Sequence, residues 1–220
     1  MTFVTPERHR LTTAVRHLID AVVSLDGATE EQLGTAADMA ESAARHLGRT
    51  PSAQPFPDPT RTLGQERHSH YLPRSPVVGD VSPLAPPIEW ELVDGRIVAS
   101  GRFGWAYQGP PGYVHGGWVA LTFDEMLGMA NIASGHPGMT GTLRVRYLKP
   151  TPLHREVEVD GWTERVEGRR IVARGSMRVN GEVTAEAEGL FVAVDPALAE
   201  RYFGEETAEA APSGVEDDSV

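Results

Sequence analysis

No cysteine occurs among the 220 residues. That absence excludes a disulfide framework, a thiolate metal site and a thiol nucleophile. Also missing is any apolar run near the ~20 residues that a membrane-spanning helix needs, and Met1 to Arg16 lacks the apolar core of a secretory signal. The expectation is a soluble, cytoplasmic protein with no membrane partner. Positive charge is scarce as well. Lys and Arg number 20 against 31 Asp and Glu, a formal net charge of −11, which argues against nucleic acid as a partner. The acidity is uneven, because Glu200 to Val220 carries seven acidic residues and one Arg. The remaining body is only mildly acidic and can bind an anion locally. Its length suits one sizeable core with extensions.

The chain opens with two helical patterns. Thr5-Pro6-Glu7 reads as an N-cap, a proline and a first-turn acid, followed by one apolar stripe of Leu11, Val15, Leu18, Val22 and Leu25. Thr29 to Gln32 has capping-box spacing, Leu33, Ala36, Ala37, Ala40, Ala43, Ala44 and Leu47 follow, and Gly48 closes the pattern. Residues 1–48 are therefore expected to form a helical hairpin. From 49 to 86 prolines recur with few apolar anchors, which predicts an extended segment on the surface or joining the helices to a main domain. His68 and His70 lie inside it, but two histidines without a further ligand cluster make no metal site, and none is expected elsewhere.

After Pro87 the period changes to two. Ile88, Trp90 and Leu92 alternate with acidic residues, and Asp94-Gly95 turns the chain into Ile97, Ala99, Gly101 and Phe103. Further on, Leu143, Val145 and Tyr147 make one alternating face, and Val157 and Val159 another. Ile171, Ala173, Gly175, Met177 and Val179 precede the turn dipeptide Asn180-Gly181, and Val183, Ala185, Ala187, Gly189 and Phe191 follow it. Short turns make these strands antiparallel. Their small residues predict that something packs closely against the sheet. The tail has one short helical pattern, Ala197 to Phe203; residues 196–220 are acidic and expected to be disordered.

Between the strands lies a Gly- and Pro-rich loop, Gly109-Pro110-Pro111-Gly112-Tyr113-Val114-His115-Gly116-Gly117. It runs into a helical pattern marked by Val119, Phe123, Met126, Leu127, Ala130 and Ile132. The first amides of a helix have no internal acceptor, so Gly116 and Gly117 can present bare N–H groups to an incoming oxygen, as an oxyanion hole does. Asp124 lies seven residues beyond Gly117, nearly on the same helical stripe and roughly 10 Å along it. A carboxylate on an otherwise apolar helix is a candidate for chemistry. Glu125 points about 100° away and reads as solvated or at a subunit interface.

Two strands, a loop, one buried helix and four more strands resemble the α+β hotdog fold, a curled antiparallel sheet wrapped around a central helix. The loop quoted above, Asp124 nine positions after His115, Thr140 and Tyr147-Leu148-Lys149-Pro150-Thr151-Pro152 resemble the PaaI-type acyl-CoA thioesterases of that superfamily. The resemblance covers about residues 87–195, and the helices before it lie outside.

The resemblance implies hydrolysis of an acyl-CoA thioester to a carboxylic acid and coenzyme A within fatty acid metabolism, without metal or redox cofactor. The Gly117 amide would polarise the carbonyl. Asp124, reached across the interface of a homodimer or dimer of dimers, would act as general base or nucleophile. Thr140 would orient the water or the carboxylate, Gly116 would border the substrate, and His115 would fix the loop or touch substrate. Related enzymes carry an Asn upstream of His-Gly-Gly, where this chain has Ala106-Tyr107-Gln108; Gln108 either substitutes as amide donor or leaves the contact unmade. Coenzyme A is a polyanion, so Arg146, Lys149, Arg169 and Arg170 are candidates for its phosphates. Two other readings stay open: a hotdog protein that binds acyl-CoA without turnover, and a hotdog enoyl-CoA hydratase or dehydratase.

Overall fold

A computed structural model describes residues 4–48 and 72–193. His68, His70 and the tail beyond 193 lie outside the described residues. The chain divides into two compact units, Met1–Ser24 with Phe56–Val194, and Leu25–Pro55 with Asp195–Val220.

The second unit contains helix α2 (Glu30–Leu47). Its start is the capping box expected from the sequence. Thr29 Oγ1 accepts from the Gln32 amide at 3.2 Å, and Gln32 Oε1 accepts from the Thr29 amide at 3.0 Å. No residue of α2 is buried.

The first unit contains α1 (Pro6–Ser24), α3 (Gly116–Ala133) and strands β1 (Ile88–Val93), β2 (Arg96–Arg102), β3 (Gly138–Tyr147), β4 (Glu156–Glu167), β5 (Arg170–Val179) and β6 (Glu182–Ala193). The strands form one antiparallel sheet in the order β1-β2-β4-β5-β6-β3, which leaves β1 and β3 as its edges. Two hairpins turn on the expected dipeptides: Asp94-Gly95 and Asn180-Gly181 both adopt positive φ, the geometry that matches strand twist. The sheet curls around α3, which touches β2 through β6. This is the hotdog arrangement.

Close approach of helix and sheet explains the small residues. A Cβ on Gly175 would lie 2.7 Å from the Asp160 carbonyl oxygen and 3.2 Å from both Leu127 Cδ2 and Phe123 Cδ1. Phe123, Met126, Leu127 and Ala130 are fully buried against Ile97, Ile171, Ala173, Met177 and Phe191. The outer face of the sheet is charged. There Asp160 accepts from Arg96, Arg178 and Ser176, and the Arg96 guanidinium stacks 3.9 Å above the Trp162 ring. Burial alone would raise the Asp160 carboxyl, but bonds from Ser176 and Arg96 and the charges of Arg178 and Arg96 outweigh it, holding the group below its ordinary value.

Two parts differ from the sequence reading. Residues 72–87 are consecutive turns and not an extended surface strand, and they place Val77, Val78 and Ala85 in the interior. Helix α1 docks by its polar side. Thr12 is buried, Arg16 Nη2 donates to the Gly79 and Ser82 carbonyls at 3.2 and 3.0 Å, and Asp20 Oδ1 accepts from the Ala106 amide at 3.3 Å. The expected apolar stripe is instead turned outward at Leu11, Leu18 and Val22. The physical reason is the neighbouring backbone: turns leave carbonyls and amides that only polar side chains can satisfy.

Candidate active site

The Gly-Pro loop is pinned at several points. Gln108 Oε1 accepts from the Gly112 amide at 3.2 Å, the Gly109 amide donates to Tyr113 O at 2.9 Å, and the His115 amide donates to Tyr107 O at 2.9 Å. Val114 N–H reaches Thr151 O at 2.8 Å, which ties the loop to the Lys149–Pro152 stretch. Gly109 is required by space, since a Cβ there would lie 2.7 Å from His115 Cα. Gln108 is thus a loop brace in this structure.

His115 is the N-cap of α3. Its φ and ψ are −61° and 132°, and its Nδ1 accepts from the Gly117 amide at 2.9 Å. An Nδ1 that accepts is unprotonated, so the neutral ring carries its proton on Nε2. The Trp118 amide turns back to His115 O, while the Gly116 amide finds no acceptor among the described residues. Tyr147 Oη donates to Gly116 O at 2.8 Å, joining the first helical turn to the end of β3. Tyr147 is 55% exposed beside the helix start.

One helical heptad further on, Asp124 meets Thr140. Thr140 Oγ1 donates to Asp124 Oδ1 at 2.8 Å, across from α3 to the first residues of β3. A β-bulge between Thr140 and Thr142 re-aims the strand there. Within one chain, the helix rise separates Gly117 from Asp124 by roughly 10 Å. The helix-start amides and the hydrogen-bonded carboxylate thus lie at different places along α3.

Glu125 is not solvated. It is partly buried against Ser75, and burial, with the Asp124 charge adding to it and the Ser75 hydrogen bond opposing it, pushes its carboxyl above the ordinary value. Ser75 Oγ also accepts from the Val77 and Val78 amides at 3.0 and 3.2 Å, so Glu125 anchors the turn segment to α3. No sequence pattern pairs these residues, since 50 positions separate them.

The basic candidates fall at two places. Arg146 pairs with Glu186 at 3.1 Å and Lys149 pairs with Glu182, both near Tyr147. Arg169 Nη2 donates to Ala193 O at 3.5 Å, beside the start of β3 that carries Thr140, and Arg170 is exposed next to it.

The family model described as thioesterase superfamily matches residues 111–186. Acyl-coenzyme A thioesterase THEM4 of Mus musculus is 36% identical over 109 residues, 49% of this chain and 47% of that protein. The Xenopus laevis protein of the same name is 32% identical over 109 residues, 49% of each chain. The chain thus spans about half the length of the curated relatives it matches. A crystal structure described as a thioesterase superfamily protein superposes with a TM-score of 0.74 at 37% identity, covering 84% of this chain and 94% of that one. The chain belongs to the thioesterase superfamily.

Proposed function

We propose that this protein is an acyl-CoA thioesterase, and the observation that carries the reading is the Asp124–Thr140 hydrogen bond at 2.8 Å, which joins the central helix to the bulged start of β3. A carboxylate held by one donor keeps its second oxygen for a water or for direct attack on the thioester carbon. The carbonyl oxygen takes the Gly117 amide in place of His115 Nδ1, with the Gly116 amide beside it, and both lie at the positive end of the α3 dipole. Water addition and collapse break the C–S bond, releasing the carboxylic acid and coenzyme A as its thiol.

Because one chain separates the amides from Asp124, the working site combines Asp124 of one copy with the helix start of another. Among the described residues β3 is an unpaired sheet edge with Met139 and Tyr147 exposed, a surface suited to a homodimer, which can pair again as a dimer of dimers. Light scattering that finds a fully active monomer contradicts this part. Arg169 and Arg170, by the start of β3 that carries Thr140, are the cations we assign to a coenzyme A phosphate, and the proposed setting is cytoplasmic fatty acid metabolism. Among the described residues no helix is long and apolar enough to cross a membrane.

Thiol release from short, medium, long and aromatic acyl-CoAs tests the activity. With no cysteine in the chain, every thiol detected is product. Turnover of at least one member is expected. Thermal stabilisation by acyl-CoA without any thiol favours the binding-protein reading, and loss of enoyl absorbance from crotonyl-CoA without thiol favours the hydratase.

A further inference from the structure

A cavity of about 310 Å³ opens between α1 and the body of the sheet, and neither Asp124, Thr140 nor Gly117 lines it. Its volume is at the lower end of the range for small-molecule sites. Two guanidinium groups reach its wall. Arg16 and Arg102 face it with His17 and His154; the carboxylate in the wall, Asp20, already accepts from the Ala106 amide, Asp80 lies beside Arg16, and Glu156 is in loose reach of Arg102. An anion entering the cavity therefore depends on the guanidinium that is free to turn toward it.

The two guanidinium groups differ in freedom. Arg16 is fixed by the Gly79 and Ser82 carbonyls, and its buried Nε–H has no acceptor among the described residues. Arg102 is 67% exposed and touches Glu156 only at 3.9 Å, a contact too loose to hold it, so it can turn onto a ligand. Pro83, Pro87 and the Tyr107 ring supply apolar wall.

His154 adds an independent observation. Its φ is +59°, a left-handed conformation that costs a non-glycine residue about 1–2 kcal/mol. Its amide donates to Phe103 O at 2.9 Å and its ring packs edge-on to Trp105 at 4.6 Å, so the backbone is held where the ring forms part of the cavity wall. Strain kept at a pocket wall is a mark of function.

We propose that this cavity is a second ligand site, for a small monocarboxylate with an apolar body, gripped by Arg102 and flanked by His154. The ligand is a free acid, whether product of the chain's own reaction or another carboxylate of that size. Occupancy bears on the His115 loop, because Asp20 holds Ala106, the Tyr107 carbonyl holds the His115 amide, and the Tyr107 and Trp118 rings meet at 4.9 Å. The site does not depend on thioester hydrolysis, and its test uses no substrate.

Titration calorimetry of the full chain with hexanoate and benzoate, with hexan-1-ol as the uncharged control, reads the site directly. Wild type should bind the acids, the alcohol at least about tenfold more weakly, and Arg102→Gln should lose about tenfold in affinity, the worth of one charge-assisted hydrogen bond. Asp124→Asn should bind as wild type does. His154→Gly relieves the backbone strain, so it should fold at least as well as wild type and still bind the acids more weakly. No binding by wild type, unchanged affinity in both Arg102→Gln and His154→Gly, or loss of binding in Asp124→Asn overturns the proposal.

Discussion

Thr140 Oγ1 lies 2.8 Å from Asp124 Oδ1, so the one carboxylate of the central helix that reaches β3 is oriented by a hydroxyl from the bulged start of that strand. If this bond aims the carboxylate, Thr140→Val should lower thiol release by about tenfold, the range of one hydrogen bond to a charged group. Thr140→Ser keeps the hydroxyl and should stay within about threefold of wild type. Equal rates for Val and wild type on the best acyl-CoA contradict the orienting role.

His115 caps α3 through Nδ1. His115→Ala should cost about 1 kcal/mol in denaturant unfolding, whereas His115→Asn, a good capping residue, should recover most of it. Gly117→Ala should also destabilise, because its Cβ would sit 3.0 Å from Nδ1. An alanine at 115 with wild-type stability shows that the cap carries no weight.

Asp160 on the outer sheet face gives acid sensitivity. Its folded value lies below the ordinary one near 3.8, so its contribution is present above that pH and is lost as pH falls through the lower folded value. Asp160→Asn should lower Tm at pH 7, and the gap to wild type should shrink below about pH 4. A gap that is constant with pH excludes the ionic account.

Glu125 has the opposite sign. Its folded value is raised above the ordinary 4.5, so the native state binds the proton more tightly and loses relative stability as pH rises through that region. Glu125→Gln keeps an acceptor for Ser75 and removes a charge beside Asp124. Its Tm should exceed that of wild type at pH 7 to 8 and match it below about pH 4. A variant less stable at pH 7 contradicts this.

Much of the fold was legible because it follows local rules. Period-two apolar residues, Asp94-Gly95 and Asn180-Gly181 marked the strands and hairpins, and Val119, Phe123, Met126 and Leu127 marked the buried helix. Strand order was not legible, since β2 pairs with β4 and β3 with β6 through contacts far apart in sequence. The docking of α1 was misread because an apolar stripe says which side prefers burial, not whether Arg16 and Asp20 find backbone partners. Asp124 was named from its place on the helix and Thr140 from the resemblance, but their bond needed the structure. Glu125 escaped because a carboxylate on a helix back looks solvated until the Ser75 segment covers it.

The most direct measurement is steady-state thiol release from the best acyl-CoA by Asp124→Asn beside wild type, with unfolding curves confirming that both are folded. A fall of about 10²-fold or more in kcat with similar stability is the expected result. A folded Asp124→Asn that turns over at the wild-type rate contradicts the account, because it leaves the carboxylate that Thr140 orients without a part in the reaction.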